Sequence, residues 1–266
     1  MANLSRVSAI TFDFGNTLVP VGRAELAAVV EKMTQVVVAA SGPFDLAAFR
    51  AAWAEERDRQ FAEDVPEGRE VELDRRTVRV LARLRGMPVP ATDERWDDAV
   101  AAGWSSADEV ALAIDAYSRA FVGILPRPGG IRSMLERLAH RYELGVLSNW
   151  PVASTIDAYL EAAGWARFFR AVVVSQRVGS IKPNRAIFAA AEVALEQPGP
   201  AILHVGDDWA ADVLGARQAG WRVAYLRGQQ DGSALPASEP DGTTVADLEI
   251  DTLSELEPAL ASSGSG

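Results

Sequence analysis

The chain has 266 residues, 48% of them hydrophobic, which allows one large domain or two modest ones around a sizeable core. Its 26 basic residues against 37 acidic ones give a formal net charge of −11, which disfavours a general nucleic-acid or anionic-membrane binder, since both need a cationic face. With no cysteine there are no disulfides and no thiolate chemistry, and two histidines, His140 and His204, leave any metal to oxygen ligands.

The opening, MANLSRVSAITFDFG, carries one arginine and no long apolar run, so it reads as neither a signal peptide nor an anchor, and a cytoplasmic protein is expected. Residues 7–12 form the first short apolar run, which ends on Asp13, an acid that is costly to bury unless it is used or paired. From 21 to 125 no such run recurs. Instead Leu26, Val29, Val30, Met33, Val36 and Val37, and later Val110, Ile114, Tyr117 and Phe121, recur at three- and four-residue steps, which predicts amphipathic helices. ILPRPGG, residues 124–130, punctuates the chain, and short apolar runs follow at 142–147, 171–174, 201–205 and 222–226. These read as buried parallel strands. GQQDGSALPASEPDG (228–242) reads as a surface loop, and 261–266 as a flexible tail. The expected fold is α/β: a doubly wound, Rossmann-like parallel sheet core from 1–20 and 126–260, with an α-helical bundle cap inserted at 21–125.

Ligands of open α/β sheets bind beyond the carboxyl ends of the strands, so the residues there matter most. They are Asp13, then Ser148 and Asn149, then Lys182, then Asp207, Asp208 and Asp212. A carboxylate, a hydroxyl with a neighbouring amide, a lysine and a second acidic cluster are what phosphoryl transfer to an aspartate requires. The acidic cluster suits Mg²⁺, which prefers carboxylate oxygens and water. Taken singly, Ser148 and Asn149 also suit a helix cap, Asp208 an N-cap, and Lys182 a solvated charge. Trp150 and Trp209 suit either a wall of the site or the core, and the two histidines suit structural roles.

DFGNTL (13–18), LSN (147–149), KP (182–183) and GDDWAADVLGARQAG (206–220) occur in that order, and together the set resembles the four motifs of the haloacid dehalogenase (HAD) superfamily of hydrolases. The helical stretch corresponds in position to that family's cap. The resemblance implies Asp13 as nucleophile, Thr17 as a loop stabiliser, Ser148 and the Asn149 amide as phosphate ligands, and Lys182 as the neutralising cation. It implies Mg²⁺ on Asp13, the Gly15 carbonyl and Asp207, with Asp212 binding the metal's waters or orienting Lys182. A small phosphorylated metabolite is the implied partner. Pro183 suits a helix start that keeps Lys182 extended.

The chain departs from that pattern at Gly15, where phosphatases of the superfamily usually carry the aspartate that protonates the leaving oxygen. Such a loss typically costs about two to four orders of magnitude for a poor leaving group. Three consequences are open: substrates such as acyl phosphates, a substitute from the cap (Arg23, Glu25, Asp64 or Glu67), or a phosphometabolite-binding protein with little turnover. Replacing Gly15 with aspartate is expected to raise phosphomonoesterase activity if only the acid is missing. A 2-haloacid dehalogenase-like reaction also needs no second aspartate, but the acidic motif at 207–212 argues for metal and phosphate, because clustered carboxylates repel without a cation. A phosphonate-cleaving reaction would need a cap lysine, and Lys32 is the only one there.

Overall fold

The computed structural model describes residues 4–227 and 232–263. The five apolar runs are strands: β1 (Ala9–Phe12), β2 (Glu143–Ser148), β3 (Phe169–Val174), β4 (Ile202–Gly206) and β5 (Arg222–Leu226). A sixth, β6 (Leu248–Ile250), lies between Asp247 and Asp251 and is too short to give an apolar run. Neighbouring strands pair in parallel in the order β3-β2-β1-β4-β5-β6. The first strand is therefore central, with Phe12 opposite Val146 on one side and Val205 on the other. Every strand that flanks it ends at the same edge, so the residues that follow Phe12, Ser148 and Gly206 gather over one crevice.

Five α-helices fill the stretch between β1 and Leu125: α1 (Arg23–Ser41), α2 (Leu46–Glu63), α3 (Leu73–Leu84), α4 (Asp98–Ala102) and α5 (Ala107–Ile124). The pair α1 and α5 pack together and bury Val29, Met33 and Val37 of one and Ala113, Tyr117 and Ala120 of the other. Val36, at the same spacing, is exposed. Ser106 starts α5 through a capping box, its hydroxyl accepting from Glu109 N (3.2 Å) while the Glu109 carboxylate accepts from Ser106 N (2.9 Å). Helix α3 is arginine-rich yet largely buried. Arg79 lies between Glu63 (3.2 Å) and Asp98 (2.7 Å), and Arg76 donates to Gln60 (2.9 Å) with its guanidinium over Trp53.

The remaining helices are α6 (Ile131–Ala139), α7 (Ala153–Ala163), α8 (Ser175–Val178), α9 (Arg185–Leu195), α10 (Gly215–Gln218) and α11 (Leu256–Ser263). Side chains alternate along the strands. Ile10, Phe12, Leu203 and Val205 join a core with α6, α7 and the insert, whereas Ala9, Ile202 and Val223 join one with α9 and α10. Both sheet faces are thus covered, as a parallel sheet requires. Residues 261–263, read as tail, continue α11, and 264–266 lie outside the described residues.

Polar contacts that fasten the insert to the sheet include Ser118 to Thr155 (2.6 Å between hydroxyl oxygens), Ile181 N to Gly68 O (2.9 Å), and the Ser175 hydroxyl donating to the Glu70 carboxylate. Glu70 is buried, also accepts from Val71 N (2.8 Å), and burial pushes its carboxyl above the usual range. Ser175 in turn accepts from Trp150 N (2.9 Å), directly after the LSN motif. Replacing Glu70 with alanine strands these donors, and a loss of about 1–3 kcal/mol in urea unfolding is expected. An unchanged midpoint would show that the seam does not depend on it.

Candidate functional site

The crevice holds a charged knot built from four strand ends. Lys182 is buried, and its three ammonium protons are all engaged: Nζ lies 2.7 Å from Asp13 Oδ1, 2.6 Å from Asp212 Oδ1 and 3.0 Å from the Leu147 carbonyl. Burial alone would lower this ammonium's pKa, but the two carboxylates outweigh it and hold it above its usual range. Its backbone is clamped as well. The Asn149 side chain accepts from Lys182 N (2.7 Å) and donates to Lys182 O (3.1 Å), so Asn149 fixes the lysine rather than capping α7, whose start has no side-chain cap. The Lys182–Pro183 bond is cis, and α9 begins at Arg185 behind the Asn184 cap (2.9 Å to Ala186 N), so Pro183 precedes the helix instead of opening it.

Asp212 is held from three directions. Its Oδ1 takes Lys182 and His204 Nε2 (3.0 Å), and its Oδ2 takes Asp208 N (2.9 Å). Burial opposes ionisation here, yet Lys182 and His204 hold the carboxyl below the usual range. His204 is fully buried on β4, its Nδ1 lies 2.9 Å from Thr11 Oγ1, and so the imidazole links the central strand to Asp212. Such a role needs a partner on the adjacent strand, distant in sequence, and the sequence carries no local sign of it. Gly206 admits this arrangement, because a Cβ there would collide with the Asp212 carboxyl group. Asp208 caps the π-helical turn Trp209–Leu214 by accepting from Ala211 N (2.7 Å).

Asp13 and Asp207 complete the cluster. The Asp207 carboxylate accepts from Thr17 Oγ1 (2.9 Å), and burial, with Asp13 and Asp212 close by, pushes its pKa up to about 8. Burial likewise raises Asp13 against the pull of Lys182. One ligand atom from each of Asp13, Asp207 and Asp212 falls within 4.8 Å of the others. Three buried carboxylates set against one lysine leave an excess of negative charge that a divalent cation fits. With both Asp212 oxygens already bonded, Asp13 and Asp207 are the free donors. Ser148 ends β2 buried, and its hydroxyl carries no hydrogen bond among the described residues.

Gly15 follows Asp13 in a tight turn, where Asn16 sits at φ 56° and takes Val21 N on its side chain (3.2 Å). Three of the suggested cap substitutes for the missing acid are engaged elsewhere. Asp64 pairs with Arg69 (3.0 Å), Glu67 with Arg69 and Arg95, and Arg23 donates to Ser233 O (2.9 Å). Glu25 lies at the start of α1, against Gly22, and Lys32 is exposed on the same helix. Trp150 packs against Phe14 and Phe121 at centroid distances of 5.9 and 5.2 Å and also borders Gly15, so it is both core and wall. Trp209 packs edge-on against Tyr225 at 4.9 Å. His140 caps the end of α6, exposed.

Among the described residues no helix is long and apolar enough to cross a membrane. The chain is 34% identical over 117 residues to the pyrimidine 5'-nucleotidase YjjG of Escherichia coli (strain K12), a match spanning 41% of this chain and 50% of the relative. It is 29% identical over 148 residues to a glyceraldehyde 3-phosphate phosphatase of Methanopyrus kandleri, spanning 55% and 62%. The chain therefore spans between half and two thirds of the length of these curated relatives. Its fold matches the crystal structure of a 2-haloacid dehalogenase from Pseudomonas syringae pv. Tomato DC3000, with TM-score 0.66, 23% identity and coverage of 96% and 99%. A family model described as haloacid dehalogenase-like hydrolase matches residues 7–220, most of the sheet and all of the helical insert. On that match, and on the charged knot beneath the ends of its strands, the chain belongs to the haloacid dehalogenase-like hydrolases.

Proposed function

We propose that this hydrolase is a Mg²⁺-dependent phosphatase of a small phosphorylated metabolite, working through phosphorylated Asp13 with the helical insert as its cap. The observation that carries the reading is the 2.7 Å contact of Lys182 with Asp13 beside two further buried carboxylates. Lys182 holds Asp13 Oδ1, and Oδ2 has no hydrogen bond among the described residues, which leaves it free to attack phosphorus. Ser148 and the Asn149 amide would take phosphoryl oxygens at the end of β2. Asp13, Asp207 and the Gly15 carbonyl would hold the cation, with Asp212 acting through Lys182 and metal-bound water. Bound Mg²⁺ would offset the charge that gathers on the transferred group. Phosphatase and nucleotidase names among the relatives support phosphate over halide.

The test is a panel of phosphate esters, acyl phosphates and 2-haloacids, each with and without Mg²⁺. Phosphate release that stops on chelation is expected, and halide release without metal would overturn the reading in favour of a dehalogenase. No turnover, with a phosphorylated ligand still raising the melting temperature in Mg²⁺, would favour the binding-protein alternative. Mg²⁺ alone should also stabilise the chain. At a hundredfold excess over Kd the gain is about 2.7 kcal/mol, or several degrees for a chain of this length. Asp207→Asn should abolish that shift.

A further inference from the structure

Among the described residues, the side chains that border position 15 carry no proton donor toward it. A Cβ at position 15 would collide with Leu235 Cδ1, with Trp150 Cζ3 at 3.5 Å and Val21 Cγ2 at 3.7 Å. Trp150 presents its benzo edge there, not its indole N–H. The stretch read as a surface loop is thus, from Gly232 to Ser238, a strap across the site; 228–231 lie outside the described residues. It is fastened at both ends. Arg23 N donates to Gly232 O (2.9 Å), Ala234 N to Val21 O (2.9 Å) and Asn16 Nδ2 to Ser233 Oγ (2.8 Å), while the Ser238 hydroxyl donates to Asp208 (2.9 Å) and accepts from Ala210 N (2.6 Å). Leu235 is half-buried between these anchors.

The titratable groups around Asp13 are Lys182, Asp207, Asp212 and His204, all in the knot, and Asp207, which accepts from Thr17, is the carboxyl that would hold the cation together with Asp13. Lys182 has no free proton direction, and Asp212 is an acceptor on both oxygens. Glu70, the buried acid of the insert, is bound to Ser175 and Val71. Among the described residues, a leaving oxygen on the Gly15 side therefore meets Leu235, Trp150 and Val21, none of which can protonate it.

We propose that Gly15 and the Leu235 side chain packed against it together determine specificity, making the site selective for phosphates whose leaving group is stable as an anion, acyl phosphates above all, against alkyl phosphate monoesters. This rests on the phosphatase reading above. In the first step Asp13 Oδ2 bonds to phosphorus, and the bond from phosphorus to the leaving oxygen breaks with its electron pair on that oxygen. A carboxylate leaving group, with pKa near 4, needs no proton. An alkoxide does, and its rate falls by the roughly 10²- to 10⁴-fold that a general acid supplies. Water then attacks phosphorus of the aspartyl phosphate, its protons pass to phosphate and solvent, and Asp13 is regenerated with inorganic phosphate. An aspartate placed at position 15 would have to displace the Leu235 side chain, whose terminal methyl lies against the Cβ position, so the gain expected from Gly15→Asp should be larger when Leu235 is shortened with it.

The experiment measures kcat/KM of the Mg²⁺-loaded chain on acetyl phosphate, para-nitrophenyl phosphate, phenyl phosphate and glycerol phosphate. A fall of at least about 100-fold from the first to the last is expected, following leaving-group pKa. In Gly15→Asp/Leu235→Ala the series should flatten, mainly through faster glycerol phosphate turnover. Leu235→Ala alone should keep the order of substrates. A wild-type series that is flat, or that favours glycerol phosphate, overturns the inference while leaving the phosphatase reading standing. If no substrate releases phosphate, both fall. The wild-type series decides even if the double variant does not fold.

Discussion

Asp13→Asn is expected to remove turnover by about 10⁴-fold or more, the scale seen when a covalent nucleophile is lost, while leaving the protein at least as stable as before in metal-free buffer. The two halves of this expectation share one cause. Burial and the neighbouring Asp212 work against the Asp13 carboxylate and Lys182 works for it, and Asp207 feels the Asp13 charge as repulsion. An amide of the same shape keeps an oxygen for Lys182 Nζ, now 2.7 Å from Asp13 Oδ1, and removes one of the three buried carboxyl groups. The site is therefore strained in the direction of function, as active sites commonly are. Steady-state phosphate release and thermal unfolding, each with and without Mg²⁺, check the two halves. Activity that survives the substitution would sink the nucleophile assignment. A large loss of metal-free stability would show that the Asp13–Lys182 attraction outweighs the carboxylate repulsion.

The parts of this site that could be read from sequence are those whose chemistry is local. Asp13, Ser148 and Asp207 each end or follow a short apolar run, and a parallel sheet delivers such ends to one edge, so their convergence followed from the strands alone. Lys182 stands further from its strand, beyond β3 and the short α8, and taken alone reads as a solvated charge, so only its place in the motif series singles it out. What escaped notice depends on contacts between distant segments. His204 looks like one more residue of a buried strand, and its link to Asp212 and Thr11 exists only because β1 and β4 are neighbours. Leu235 sits in a stretch rich in glycine, serine and proline that gives no sign of packing against residue 15, more than two hundred positions earlier. The same holds within the insert. DRRTVRVLARLR suggests a solvated helix, yet Arg76 and Arg79 are buried because Gln60, Trp53, Glu63 and Asp98 receive them. Helical spacing located α1 and α5 but could not say which arginines would be buried.

Removing the cation at the centre of the knot should do what Asp13→Asn does not. In Lys182→Met the side-chain volume is nearly kept, but Asp13 and Asp212 lose the one group that bonds both, and the Leu147 carbonyl loses its donor. Breaking a buried pair in this way typically costs about 3–5 kcal/mol. Activity should fall with it, since Asp13 would lose the charge that keeps it ionised and the transferred group would lose its cation. The two effects can be separated by a second substitution. Asp212→Asn in the Lys182→Met background removes one stranded carboxylate, so it should restore a large part of the stability, by contact coupling of neighbouring groups, and none of the turnover. Urea unfolding of the four proteins of that cycle gives the coupling directly. If the pair of substitutions is as unstable as the sum of the singles, Lys182 and Asp212 do not act as a unit, and the arrangement of His204, Asp212 and Lys182 as one positioning chain for Asp13 must be abandoned.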